Sequence, residues 1–320
     1  MKILVTGGSG FVGSAFVRLA LQNGDQVRVA QRSTSATFPA GVETCIVGEI
    51  GPNTCWEKAL AGCDMVVHLA ARVHKMNESA ADPAAEYRHT NVDGTLNLAR
   101  QAIVAGVKRF LFVSSIKVNG EGRDIPYSEM DPPAPEDLYA WSKWEAEQQL
   151  KHIISTSDMK LVVLRPPLVY GPGVGANFLK LIELVMAGVP LPLGSVENAR
   201  SLIYVSNLAD AIHTCLVCDI EKINTFLVSD KDHISTSNLI KLLAASLDCP
   251  ARVIPCPERL LRGIGTVIGR RKQVERLIGS LTVDSRQIQD RLNWSPPYSL
   301  SEGIRQTARW YLDTQKHLNL

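Results

Sequence analysis

The chain has 320 residues, 45% hydrophobic and 21% charged, so it can bury a sizeable core as two domains or as one large α/β domain with an appended lobe. Lys and Arg number 34 against 32 Asp and Glu, a near balance that excludes a nucleic-acid-binding protein, which needs a concentrated basic surface. The one dense basic run, Arg270-Arg271-Lys272, reads as a solvated face. No run of about 18 apolar residues offers a membrane span, and the short apolar start before Thr6-Gly7-Gly8 is no secretory leader. A cytoplasmic protein without a membrane partner is expected. Cys215 and Cys218 form a C-x-x-C on an apolar-striped helix with no second pair, and read as buried, reduced thiols.

In chain order, residues 3–5 are a buried strand, and a helix over 11–23 closes at Gly24. Strands follow at 26–30, 43–47 and 64–69, then a helix over 84–105 that stops at Gly106. A strand at 109–113, a helix over 137–154 and a strand at 161–164 complete the series. Short β-rich strands separated by helices predict an α/β fold with a doubly wound parallel sheet, all strand C-termini on one edge. After Arg165 the texture changes, with Pro166-Pro167, Gly171-Pro172-Gly173, Pro190, Pro192 and Gly194. The expected division is a sheet domain over 1–170, with 205–247 returning to it, and a smaller C-terminal substrate lobe from 171–204 and 248–320.

Gly7, Gly10 and Gly13 fit G-x-x-G-x-x-G immediately after the first strand and at the start of a helix. A tight glycine turn there lets backbone approach a pyrophosphate, and the helix N-terminus offers free N–H groups and a positive dipole end. This is the Rossmann-type dinucleotide cradle. At the end of the second strand, Gln31-Arg32-Ser33 replaces the carboxylate usual for NAD. A guanidinium suits a 2′-phosphate, so NADP(H) is favoured; the alternative is NAD(H) bound through the Gln31 amide. Tyr139 and Lys143 are Y-x-x-x-K, neighbours on one helix face, where the ammonium draws the phenol pKa down. The strand ending in Val113-Ser114-Ser115 brings hydroxyls to the same sheet edge. Ser115 is the candidate to bind the reacting oxygen, with Ser114 the alternative.

Together these residues resemble the extended short-chain dehydrogenase/reductase family, in its NAD(P)-dependent nucleotide-sugar epimerase/dehydratase branch. The resemblance covers nearly the whole chain. It rests on Thr6 to Gly13, Val66 to Ala71, Thr90 to Thr95, Ser114-Ser115, Tyr139 to Lys143, Leu164-Arg165-Pro166, Arg200 to Val205 and Leu208-Ala209-Asp210. It implies that Tyr139 is the acid/base, Lys143 the ribose-binding cation and Ser115 the orienting hydroxyl. It also implies cofactor contacts at Gly7, Gly10, Phe11, Val12, Glu49, Ile50, Leu69, Ala70, Ala71, Asn91, Val113 and Pro166. Substrate contacts are implied at Lys117, Asn177 and Arg200, with Arg276 a further candidate for the diphosphate. Dehydratases of the branch carry Asp-Glu where this chain has Ile116-Lys117, which counts against dehydration. Ser114 to Glu121, with Asn119 where epimerases often have Tyr, is similar to 4-ketoreductases of bacterial polysaccharide synthesis. Those enzymes reduce a UDP-4-keto-6-deoxy-N-acetylhexosamine. The expectation is therefore a UDP-sugar 4-ketoreductase and homodimer. The alternative is a UDP-sugar 4-epimerase that keeps its NAD, and a non-catalytic dinucleotide-binding regulator comes third.

Overall fold

Ile3, Leu4 and Val5 are all fully buried, so the first strand is covered on both faces, as a parallel sheet between helix layers requires. A computed structural model describes residues 1–34, 36–73 and 82–318. Its strands, in chain order, are β1 (Lys2–Thr6), β2 (Gln26–Gln31), β3 (Val42–Ile46), β4 (Met65–His68), β5 (Arg109–Val113), β6 (Lys160–Arg165), β7 (Leu168–Tyr170), β8 (Arg200–Tyr204), β9 (Ile223–Leu227) and β10 (His233–Ile234). Seven form one sheet in the order β3-β2-β1-β4-β5-β6-β9, with every pairing parallel. This is the doubly wound Rossmann-type order extended by one strand, and its switch point lies between β1 and β4.

Alternate residues feed the two layers. Ile3 and Val5 pack with Phe16 and Leu208, from helices Phe11–Gln22 and Val205–Val217. Leu4 joins Leu98 and Leu150, from helices Thr95–Val104 and Leu138–Ser155. The C-x-x-C lies at the end of helix Val205–Val217, where Arg109 donates to the carbonyls of Cys215, Leu216 and Cys218 at 2.6, 2.7 and 2.9 Å. Those carbonyls are the helix's orphan acceptors, so the segment's role here is a capped helix end. Burial pushes the Cys215 thiol far above its ordinary range.

β10-β8-β7 form a second, three-stranded sheet. Helix Thr236–Ser246 contacts helices Ala176–Met186 and Leu300–Leu318. Within 205–247, then, helix Val205–Val217 and β9 join the large sheet, while β10 and helix Thr236–Ser246 join the small layer.

The helix predicted over 84–105 starts at Pro83, capped by Asp82, whose carboxylate accepts from Ala85 N. It is not α-helical throughout: a π-helical segment, Arg88–Gly94, lies between Pro83–Tyr87 and Thr95–Val104. Apolar spacing carries no mark of such a widening, which often accompanies functional sites.

A buried ion pair fixes helix Leu138–Ser155 against the sheet edge. Arg165, at the end of β6, donates from Nε and Nη2 to Glu147 at 3.0 and 2.5 Å. Glu147 is fully buried and Arg165 nearly so. Ser114 Oγ donates to Glu147 Oε1 at 2.5 Å, and Arg165 Nη1 donates to Asn119 Oδ1 at 3.0 Å. Removing one partner strands a charge in a dry site. Arg165→Met is expected to cost about 3–5 kcal/mol in urea unfolding, and adding Glu147→Leu to that variant should restore most of the loss. Equal losses in the single and double variants would contradict this account.

Candidate active site

The glycine turn after β1 is shaped for an anion. Gly7 has φ +70°, and a Cβ there would lie 2.8 Å from Ala70 N. At Gly13 a Cβ would collide with Gly7 O and come 2.7 Å from Gly8 Cα. Gly10 caps helix Phe11–Gln22 without a side chain, so the first N–H groups remain available to a ligand. Phe11 and Val12 are half-buried at that helix start. The turn therefore fits a dinucleotide diphosphate.

A hydrogen-bonded chain ties this turn to the next strands. Thr95 Oγ1 donates to Asn91 O at 2.8 Å, so it can only accept from His68 Nε2, 2.9 Å away. His68 Nδ1 is then the acceptor for Thr6 Oγ1 at 2.7 Å, and Thr6 Oγ1 in turn accepts from Ala70 N at 3.2 Å. Burial, aided by the charge on Lys143, pushes the His68 pKa down to about 3. Leu69, Ala70 and Ala71 follow, half-buried, at the end of β4. Asn91 is buried; it accepts from Arg72 N at 2.7 Å and donates to Arg72 O and Ser142 Oγ at 3.0 and 2.9 Å. It shapes the loop after β4, whatever it offers a cofactor.

At the end of β2, the Gln31 side chain is buried and donates to Ala36 O at 3.2 Å, while Arg32 and Ser33 are exposed. Glu49 is exposed and Ile50 half-buried. Glu49 borders a cavity of about 300 Å³ that Thr54, Cys55 and His89 also line.

Tyr139 and Lys143 lie on helix Leu138–Ser155, capped by Asp137, whose Oδ1 accepts from Ala140 N at 2.8 Å. Lys143 is 2% exposed, and its Nζ sits 4.0 Å from the centre of the Phe112 ring. Among the described residues its ammonium has no hydrogen-bond acceptor, which fits ribose hydroxyls supplied by a bound cofactor. Burial pushes its pKa down to about 7, with Glu147 opposing. Tyr139 is half-buried, edge-on to Tyr87 at 6.5 Å between ring centres. The sequence predicts a phenol drawn down by Lys143; instead burial, then Asp137 and Tyr87, push it up to about 12. Desolvation is the largest cause, and Lys143 is not among the groups that shift the phenol.

The two serines separate. Ser114 is buried and its proton goes to Glu147, whereas Ser115 is half-buried and accepts from Lys117 N at 3.3 Å. Among the described residues the Ser115 hydroxyl proton has no acceptor, leaving it available to a substrate oxygen. Val113 is half-buried beside it; Pro166 is buried, its carbonyl accepting from Ile116 N at 2.9 Å.

The candidate substrate residues are less free than their charges suggest. Lys117 Nζ pairs with Asp137 at 2.7 Å and Glu121 at 3.1 Å. Arg276 reaches Glu121 from Nε and Nη2 at 3.0 and 2.8 Å. Arg200 Nη1 donates to the carbonyls of Arg276 and Gly279 at 2.7 and 3.1 Å. Asn177 is exposed near the start of helix Ala176–Met186, following Ala176 at φ +51°. Sequence reasoning did not single out Asp137, Glu121, Glu147 or His68. Only Asp137 carried a local signal, as an Asp placed to cap a helix.

A phosphate cradle at the switch point, with a Tyr-Lys helix along the same edge, defines a dinucleotide-dependent enzyme. The model of the NAD dependent epimerase/dehydratase family matches residues 3–224, and the chain belongs to that family. It is 43% identical to a UDP-glucose 4-epimerase of Vibrio cholerae over 314 residues, covering 97% of this chain and 95% of the relative. MoeE5 in complex with UDP-glucuronic acid and NAD superposes with a TM-score of 0.79 at 24% identity, covering 98% of this chain and all of that one. DesIV, a dTDP-glucose 4,6-dehydratase of Streptomyces venezuelae with NAD bound, gives 0.79 at 25% identity, covering 99% and 98%. The protein is thus an enzyme of a family of NAD-dependent epimerases and dehydratases.

The site's buried ammonium generates a stability test. Lys143 has a pKa of about 7 folded and the ordinary, higher value unfolded. Its charge therefore destabilises the fold fully below pH 7, and this cost fades as pH rises through the window between the two values. Lys143→Met should melt higher than the parent at pH 6, with the gap closing towards pH 10. A gap independent of pH would refute the assignment.

Proposed function

We propose that the protein is a UDP-sugar 4-epimerase that uses bound NAD. The observation that carries this is the 43% identity, over nearly the whole length of both chains, to the Vibrio cholerae UDP-glucose 4-epimerase. The reductase reading leaned on Asn119 and Arg32. Asn119 is buried, accepts from Arg165 and donates to Ser128 O, so it has a structural occupation unrelated to the sugar. Arg32 is solvent-exposed, which weakens the argument for NADP(H). The Ile116-Lys117 pair still speaks against a dehydratase.

In this reading Tyr139, as phenolate, takes the proton of the sugar 4-hydroxyl as C4 loses hydride; the 4-keto sugar then presents its other face, and Tyr139 returns the proton to the C4 oxygen as hydride comes back. The glycine turn at Gly7 and Gly10 and the Lys143 ammonium would hold NAD, which would supply reversible hydride transfer at C4. Ser115 donates its free proton to the C4 oxygen and orients it. Lys143 holds the ribose hydroxyls and supplies the positive charge that a phenolate needs in a dry site. Arg200 and Arg276 are the candidates to bind the diphosphate, Arg276 by exchanging Glu121 for phosphate oxygens.

Incubation with UDP-glucose or UDP-N-acetylglucosamine and no added cofactor should yield the C4 epimer, read by NMR of the anomeric proton. Tyr139→Phe should slow this by about 100- to 10,000-fold while NAD stays bound. Stoichiometric oxidation of added NADPH with a UDP-4-keto sugar, and no epimer, would return the reductase reading.

A further inference from the structure

Helices Glu258–Val267 and Arg271–Ile278 form a hairpin whose two faces differ sharply. Leu261 and Gly265 are buried, Gly265 against Val274, so this stripe holds the hairpin together. Leu260, Ile264, Val267 and Ile268 fall at i, i+4, i+7 and i+8, a second apolar stripe on the outer side, and all are exposed, Val267 by 87%. Between residues 258 and 276 stand six basic and two acidic residues. Arg262 pairs with Glu258 and Glu275, and Arg276 with Glu121. Arg259, Arg270, Arg271 and Lys272 are exposed and have no carboxylate partner among the described residues. The basic run that reads as a solvated face in the sequence thus borders the apolar tip.

We propose that this hairpin is a docking surface for an anionic lipid bilayer. An apolar stripe flanked by unpaired Arg and Lys is what inserts at the level of the headgroups, with the charges on anionic phosphates. No described helix is long and apolar enough to cross a membrane, and a helix lying in the interface does not need to be. A second copy of the chain is the disfavoured occupant, because a two-fold contact through this tip would set the unpaired basic run against itself. Arg276 joins the same hairpin to Glu121 and, at 3.8 Å, to Asp137, two residues before Tyr139. The hairpin is thus tied to the segment and helix that carry candidate site residues.

The test is flotation of the full chain with vesicles of phosphatidylglycerol and phosphatidylcholine, against vesicles of phosphatidylcholine alone. The chain should float with the anionic vesicles only, and less so as salt rises. Replacing Arg270, Arg271 and Lys272 with Gln should weaken binding about 100-fold, from roughly fivefold per charge. Val267→Glu with Ile268→Glu should abolish flotation while melting temperature and turnover stay unchanged. No flotation of the parent chain at low salt, or flotation that survives both variants, overturns the proposal. So does a dimer in solution that the Val267→Glu/Ile268→Glu variant dissociates, since the surface would then belong to a second copy. None of these outcomes depends on which sugar the enzyme takes.

Discussion

Glu147 is fully buried, and side chains from the ends of two strands converge on its carboxylate. Ser114 comes from the end of β5, Arg165 from the end of β6, and Glu147 itself from helix Leu138–Ser155. Lys143 and Tyr139 lie one and two turns earlier on that helix, so its rotation about its own axis decides where both point. A helix held only by apolar packing could slide or roll at little cost. One pinned by a two-pronged guanidinium cannot. The same contact occupies the Ser114 hydroxyl, whereas the Ser115 proton has no acceptor among the described residues.

That rigid placement brings two ionisable groups into a poorly hydrated space, and their shifts oppose one another. The ammonium loses affinity for its proton while the phenol holds its own more tightly. Both shifts have the same cause, because removal from water disfavours whichever form is charged. Each shift therefore favours the uncharged form of its own group.

Much of this was legible in the sequence. The doubly wound parallel sheet follows from short β-rich runs spaced by helices, and the glycine turn and Tyr139-Lys143 have fixed spacings that survive without coordinates. What escaped depends on residues far apart in the chain. Arg165 and Glu147 are 18 positions apart, Arg276 and Glu121 are 155, and His68 is bracketed by Thr6 and Thr95. The π-helical widening at Arg88–Gly94 has no compositional mark. The direction of the Tyr139 shift escaped for another reason: spacing reports which charge is near, but only the fold reports how much water is lost. The expected reductase chemistry rested partly on Asn119, whose partners are likewise visible only in three dimensions.

His68 illustrates what a fully satisfied polar group can do. Each of its ring nitrogens has one assigned role, and acquiring a second proton would break the bond from Thr6. Over the range where most imidazoles titrate, this one stays electrically silent, and the spacing between the phosphate turn and its neighbouring strand stays insulated from acidity. Any inflection in the enzyme's behaviour near neutrality must then originate elsewhere in the crevice, which leaves the floor beneath the coenzyme a constant platform.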